Sequence, residues 1–133
     1  MTDGDTIRAK QPGGRSVRIR LACIDAPEKK QPLGLSSRDA LQALVPIGSV
    51  VTLNVTDIDR YDRPVAEIYN GSVLVQLQMV RSGMAYVYEK YLKNCPLSAK
   101  SLMEAEDQAR RIRMGVWSDP SAIKPWDFRK SNR

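Results

Sequence analysis

Histidine is absent from this 133-residue chain, and that absence removes whole classes of chemistry. Ser-His-Asp and Cys-His mechanisms need an imidazole to carry the proton, and zinc sites built on imidazole nitrogen go with them. Cysteine is scarce: Cys23 and Cys95 are too few for a disulfide-built scaffold, and their separation fits no zinc pattern. Cys23 lies in an apolar run and reads as a small buried hydrophobe, whereas Cys95 precedes Pro96 and reads as an exposed loop residue; a bridge between them stays open. No apolar run approaches the roughly 20 residues of a membrane span, so no membrane partner is expected. Repeats, low-complexity segments and internal linkers are missing as well.

What is present is acid and base in short clusters. Asp3-Gly4-Asp5-Thr6, Arg20-Leu21-Ala22-Cys23-Ile24-Asp25-Ala26-Pro27-Glu28 and Asp57-Ile58-Asp59-Arg60-Tyr61-Asp62-Arg63 bring carboxylates and guanidinium groups together. Oxygen donors suit a hard cation, and guanidinium forks suit an anionic ester. Lys and Arg number 21 against 15 Asp and Glu, giving a net charge of +6, which favours polyanionic partners through steering and counterion release. The plainer alternative, a basic surface that only keeps the chain soluble, fits the charge equally well.

The length suits one domain with a real core. Thr6–Lys10 and Val17–Leu21 alternate around a Pro12-Gly13-Gly14 break and predict a hairpin. Apolar spacing predicts a first helix from Ser36 to Val45, stopped by Pro46 and Gly48. Strands are expected at 50–55 and 65–69, the second ending at Asn70-Gly71. Leu74, Leu77 and Val80 predict a second helix capped by Gly83. Ser101-x-x-Glu104 resembles a capping box that opens a third helix running through Leu102, Ala105, Ala109 and Ile112 towards Gly115. Residues 118–133 are polar and proline-containing and are expected as a loosely attached tail. This order of elements predicts α+β architecture with a small twisted or closed sheet, which an oligonucleotide-binding barrel would fit.

Each cluster has a plain structural explanation: an Asp-Gly turn, a cap at Asp25, a solvated hairpin loop. Their combination points further. Two acidic ligands, a third carboxylate and two separate arginines are the parts needed to cleave a phosphodiester without histidine. Ala26, held extended before Pro27, adds a main-chain carbonyl as a candidate ligand.

At these residues the chain resembles the staphylococcal nuclease (thermonuclease) family. The matching strings are Asp3-Gly4-Asp5-Thr6, Arg20 to Glu28, Tyr61-Asp62-Arg63, Val80-Arg81-Ser82-Gly83-Met84-Ala85 and Gly115-Val116-Trp117-Ser118, which together span Asp3 to about Asp119. The resemblance implies a five-stranded oligonucleotide-binding β-barrel with three α-helices over residues 1–119, followed by the tail at 120–133. It also implies calcium-dependent hydrolysis of DNA and RNA that leaves 3′-phosphates. Asp5, Asp25 and the Ala26 carbonyl are then the calcium ligands, Glu28 the general base, Arg20 and Arg63 the phosphate clamps, and Tyr61 and Tyr91 the nucleotide-pocket tyrosines. Trp117 matches a structural tryptophan. Alanine at 26 replaces the threonine of the best-known member, which spares the carbonyl and removes a hydroxyl. Family members usually carry a full barrel strand before the Asp-Gly-Asp-Thr motif, where here only Met1 and Thr2 stand, so a trimmed first strand and marginal stability are expected. A monomer follows, with strand exchange open. A secreted or periplasmic full-length parent is expected on the same grounds. The rival function, a non-catalytic nucleic-acid or protein-binding module on this scaffold, requires a decayed acidic site; here all three carboxylates and both arginines remain.

Overall fold

The two alternating segments around the Pro12-Gly13-Gly14 break pair as expected in the computed structural model, which describes residues 3–131. Strands β1 (Thr6–Lys10) and β2 (Ser16–Leu21) run antiparallel, Thr6 opposite Arg20 and Arg8 opposite Arg18. Period-two alternation sends Ile7, Ile19 and Leu21 into the core and leaves Arg8, Lys10 and Arg18 exposed on the face that carries Arg20.

Residues 50–70 form a second antiparallel pair, β4 (Thr52–Ile58) and β5 (Pro64–Asn70), with a bulge between Val55 and Asp57. Parallel pairing of Arg20 with Val65 and Leu21 with Ala66 joins β5 to β2, and β6 (Val73–Leu74) folds back on β5 after the Asn70-Gly71 turn. The strand order is therefore β1-β2-β5-β4 with β6 on β5, while β3 (Ile24–Asp25) and β7 (Tyr86–Val87) make a separate short ladder. The expected barrel is not closed. Closure needs hydrogen bonds between the outermost strands, and among the described residues none links β1 to β4. Leu53, Val55 and Ile58 of β4 are left exposed.

Among the described residues four α-helices occur where three were expected: α1 (Gly34–Leu44), α2 (Val75–Arg81), α3 (Ala99–Arg111) and α4 (Pro125–Ser131). Helix α3 begins before the expected capping box, because the Cys95 carbonyl already accepts the Ala99 N–H at 2.9 Å. Ser101 and Glu104 thus lie inside the helix, and Ser98 takes the N-cap position. Leu102, Ala105 and Ala109 form its buried face, as their spacing predicts, but the helix ends at Arg111 and residues Gly115–Ser118 make a 3-10 turn.

Leu21, Leu41, Ile68, Met79 and Leu102 are fully buried in the core between sheet and helices. Gln76 of α2 fastens the helix to the parallel junction: its Nε2 donates to the Ala66 carbonyl at 2.8 Å and the Ala22 carbonyl at 3.3 Å, and its Oε1 accepts the Ile68 N–H at 3.1 Å. All of its polar atoms being partnered, this buried amide fixes where β2 ends. Gly83 and Gly115 meet backbone to backbone, with the Val116 N–H on the Gly83 carbonyl at 2.8 Å, and a Cβ on Gly83 would fall 2.3 Å from the Met114 carbonyl oxygen.

Within the segment expected as a loose tail, Pro125–Ser131 is helical and docked. Pro125 sets the first helical position, where no N–H is missed, and Trp126 stacks on Tyr88 with centroids 5.0 Å apart and planes at 11°. Aromatic anchoring, not polarity, decides the fate of this segment. Among the described residues no helix is long and apolar enough to cross a membrane.

Candidate active site

The turn that leads into β1 is built so tightly that only glycine fits its centre. A Cβ on Gly4 would lie 1.9 Å from Ser37 Oγ of α1. That contact drops Asp5 into the protein, where its side chain is 8% exposed. Asp5 Oδ2 accepts the Ala26 N–H at 2.9 Å and pairs with Arg20 Nη1 at 2.9 Å, while its own N–H donates to Asp3 Oδ1 at 3.2 Å.

Arg20 also reaches Asp25: Nη2 lies 3.2 Å from Asp25 Oδ1. In an unbroken strand these two residues, five apart, would point to opposite faces. The chain does not run unbroken through 20–25: β2 stops at Leu21, Cys23 takes a left-handed φ of 68°, and β3 restarts at Ile24. This reversal resets the alternation and puts Arg20 and Asp25 on one side. Cys23 is pinned there by a disulfide to Cys95, the bridge that the sequence left open; Cys23 is buried as expected, whereas Cys95, expected as an exposed loop residue, is buried at 1% exposure because the bridge draws it into the core.

Asp25 is completely buried, and both of its oxygens are engaged. Arg129 Nη2 sits 2.6 Å from Oδ2 and Nη1 3.1 Å from Oδ1, and the same Nη1 is 2.7 Å from Glu28 Oε1. Glu28 is held from behind as well, its N–H donating to Gln31 Oε1 at 2.8 Å. Arg129 is the functional-site residue that the sequence did not single out. Its signal was the Pro125-Trp126-Asp127-Phe128 run ahead of it, a helix start with large apolar anchors in an otherwise polar stretch.

Burial raises the carboxyl of Asp5 above its usual range, with Arg20 opposing and Asp25 adding to the rise. Asp3 is lifted to about 6, first by burial and then by the charge of Asp5. Burial alone would lower Arg20 and Arg129, but the carboxylates around them outweigh it and hold both guanidinium groups protonated. Three carboxyl groups, Asp5, Asp25 and Glu28, thus face two guanidinium groups, Arg20 and Arg129, before Asp3 is counted.

The third cluster stands across the same cleft without touching these carboxylates. Asp59 Oδ1 caps the loop by accepting the N–H groups of Tyr61 at 2.9 Å and Arg63 at 3.0 Å, and Oδ2 pairs with Arg63 Nε at 2.7 Å. The Arg63 guanidinium lies 5.6 Å from the centre of the Tyr61 ring, which is 67% exposed. Tyr91, expected as the second pocket tyrosine, packs edge-on to Tyr88 at 4.9 Å. A cleft of about 710 Å³ is lined by Asp5, Arg20 and Glu28 on one side and by Tyr61, Arg63 and Tyr91 on the other, with Arg129 beside them. Asp25 and Ala26 lie behind its surface.

A protein-family model described as staphylococcal nuclease homologue matches residues 18–119. The chain belongs to the staphylococcal nuclease family. It is 40% identical to an uncharacterized endonuclease of Escherichia coli O157:H7, covering 96% of this chain and 79% of that protein. A micrococcal nuclease of Shigella flexneri is 36% identical, with 98% and 78% covered. The chain spans only about a third of the plant relatives, such as an Arabidopsis thaliana staphylococcal-like nuclease that is 37% identical over 90% of this chain and 35% of its own length. Members of this family hydrolyse phosphodiesters, and the site's chemistry agrees. Its donors are all oxygen and its carboxyl groups outnumber its guanidinium groups, which fits a hard cation. Among the described residues no three ligand-type side chains converge on one point, so an ion here would rest on Asp5, Asp25 and main-chain or solvent oxygens.

Proposed function

We propose that the chain is a calcium-dependent phosphodiesterase that hydrolyses DNA and RNA by attack of water on phosphorus, leaving 3′-phosphates. The observation that carries it is the sharing of one guanidinium by two buried aspartates: Arg20 lies 2.9 Å from Asp5 and 3.2 Å from Asp25, so the two carboxylates already face one positive group. Asp5, Asp25 and the Ala26 carbonyl would hold calcium. When bound, the ion supplies Lewis-acid polarisation of a phosphate oxygen.

The protein's own groups do the rest. Glu28 lines the cleft with only Oε1 engaged by Arg129, and it accepts the proton of the attacking water. Arg20, fixed between two aspartates, offers its donors to the charge that builds on phosphorus. Arg63 approaches from the opposite wall, its Nε held by Asp59 and its terminal nitrogens left to form a two-pronged contact with phosphate oxygens. Tyr61 and Tyr91 present ring faces and edges on which a base can stack. Beyond the cleft, Arg8 and Arg18 stand directly opposite one another on the outer face of the hairpin that carries Arg20, an arrangement of like charges that favours a polyanion lying across it. The Cys23–Cys95 disulfide supports a secreted or periplasmic parent, since such bridges persist in oxidising compartments.

Digestion of supercoiled plasmid and of single-stranded RNA, with calcium and then with excess chelator, tests this directly. Cleavage that appears with calcium and stops with chelator is expected. Nucleic-acid binding without cleavage at any calcium concentration would overturn the enzymatic assignment.

A further inference from the structure

Arg129 does more at the site than hold a helix down. Its partners, Asp25 and Glu28, are 104 and 101 residues away in sequence, and it takes both oxygens of a carboxylate that has no exposure to solvent. The helix that brings it is held firmly: Trp126 stacks on Tyr88, and Gln31, which accepts the Glu28 N–H, also donates to the Ile123 carbonyl at 2.8 Å just ahead of α4. One glutamine thus ties the backbone of Glu28 to the approach of the helix that carries Arg129. The Arg129 side chain is 40% exposed, against 16% for Arg20, so the outer guanidinium has room to shift while the inner one does not.

We infer that Arg129 is a third active-site guanidinium, standing on Asp25 in place of a cation and aiming Glu28 at the cleft. This rests on the phosphodiesterase assignment above. Two consequences follow from the geometry. Because Arg129 covers Oδ2 of Asp25 at 2.6 Å, any cation taken by Asp25 must displace that contact, so Arg129 opposes cation binding. Because Nη1 spans Asp25 and Glu28, losing it frees Glu28 from its fixed direction, so Arg129 supports turnover. A strut that only stabilised the fold would favour both properties, and an inhibitory plug would oppose both. Opposite effects on affinity and rate are the signature of a residue shared between ligand and base.

The test is a calcium titration by calorimetry, without nucleic acid, on the wild type, Arg129→Gln and Arg129→Lys, with initial rates on a short single-stranded oligonucleotide at saturating calcium. Thermal melts confirm that α4 stays docked. Arg129→Gln should bind calcium roughly tenfold more tightly, the effect of removing one adjacent positive charge, while its kcat falls roughly 100-fold. Arg129→Lys keeps the charge but not the fork, so its calcium affinity should remain near wild type while the loss of kcat persists. Weaker calcium binding in Arg129→Gln, or an unchanged or higher kcat, would overturn the assignment. A wild type that binds calcium and cleaves while Arg129→Gln behaves identically defeats this inference alone; a wild type that does neither defeats the phosphodiesterase assignment and this one with it.

Discussion

Two clusters of carboxylate and guanidinium face one cleft, and they are built in opposite ways. The Asp59–Arg63 cluster closes on itself within a single loop: the partners are four residues apart, and the neighbouring Tyr61 is 67% exposed. The Asp5–Asp25–Glu28 cluster draws on the turn before β1, the end of β2, β3 and α4, and its central aspartate is fully buried. A local cluster costs little to form, because both partners come from one loop and only that loop must close around them. A buried one exists only when the whole chain closes around it, since each unpaired charge there would cost several kcal/mol. Under the proposed function, substrate handling would fall to the wall that carries Tyr61 and Arg63, and chemistry to the wall built around Asp25.

The contrast is broken most sharply by altering Glu28, the proposed base. Glu28→Gln should lower kcat roughly 1,000-fold with little change in affinity for nucleic acid, since only the ionised carboxylate accepts the proton. Single-turnover kinetics beside a binding titration check this, and equal losses in both would remove Glu28 from that role. Reducing the disulfide should damage the buried cluster selectively. Cys23 and Cys95 close a 72-residue separation, so reduction is expected to cost about 4 kcal/mol of stability by chain entropy. Urea unfolding with and without reductant measures it. Amide exchange should rise first at 22–28 and not at 57–63; the reverse order would mean that the disulfide does not support the site.

Arg63→Lys sharpens the comparison from the other wall, with a fall in kcat of roughly 100-fold and no loss of thermal stability, because a point charge replaces a fork in a loop that caps itself. Near-normal turnover would refute the clamp. The smallest effect is expected at a buried carboxylate outside both clusters. Burial lifts Glu106 above the ordinary 4.5, against the hydrogen bond it accepts from the Val87 N–H at 2.7 Å. The fold therefore prefers the protonated form: Glu106 adds stability at low pH and loses that contribution as pH rises through its folded value. Glu106→Gln should accordingly be more stable than wild type at pH 7, with the advantage shrinking as pH falls towards the ordinary carboxyl range. Melts at pH 7 and in that range decide it, and an advantage confined to low pH would reverse the sign.

How much of this was written in the sequence follows the same division. The hairpin, β5, α2 and the apolar face of α3 were legible, because alternation and helical spacing are local signals. The residues of both clusters were legible by type, since histidine was missing and acid and arginine stood grouped. The reversal at Cys23 was not. Nothing in the Arg20–Asp25 run marks a left-handed residue, and the disulfide that holds it comes from residue 95. Nor was Arg129, whose place at the site depends on Trp126 finding Tyr88 across the fold. The open sheet has the same origin, for closure is a relation between edges that no single strand encodes.

Calcium titration of the wild type, Asp5→Asn and Asp25→Asn, each shown by circular dichroism to be folded, decides whether the paired aspartates hold one ion. One ion should bind the wild type, and either substitution should weaken it at least tenfold, a single neighbouring charge being worth that much in a partly desolvated site. Calcium binding that survives both substitutions unchanged would show that the paired aspartates do not share a cation, and the account would fail there.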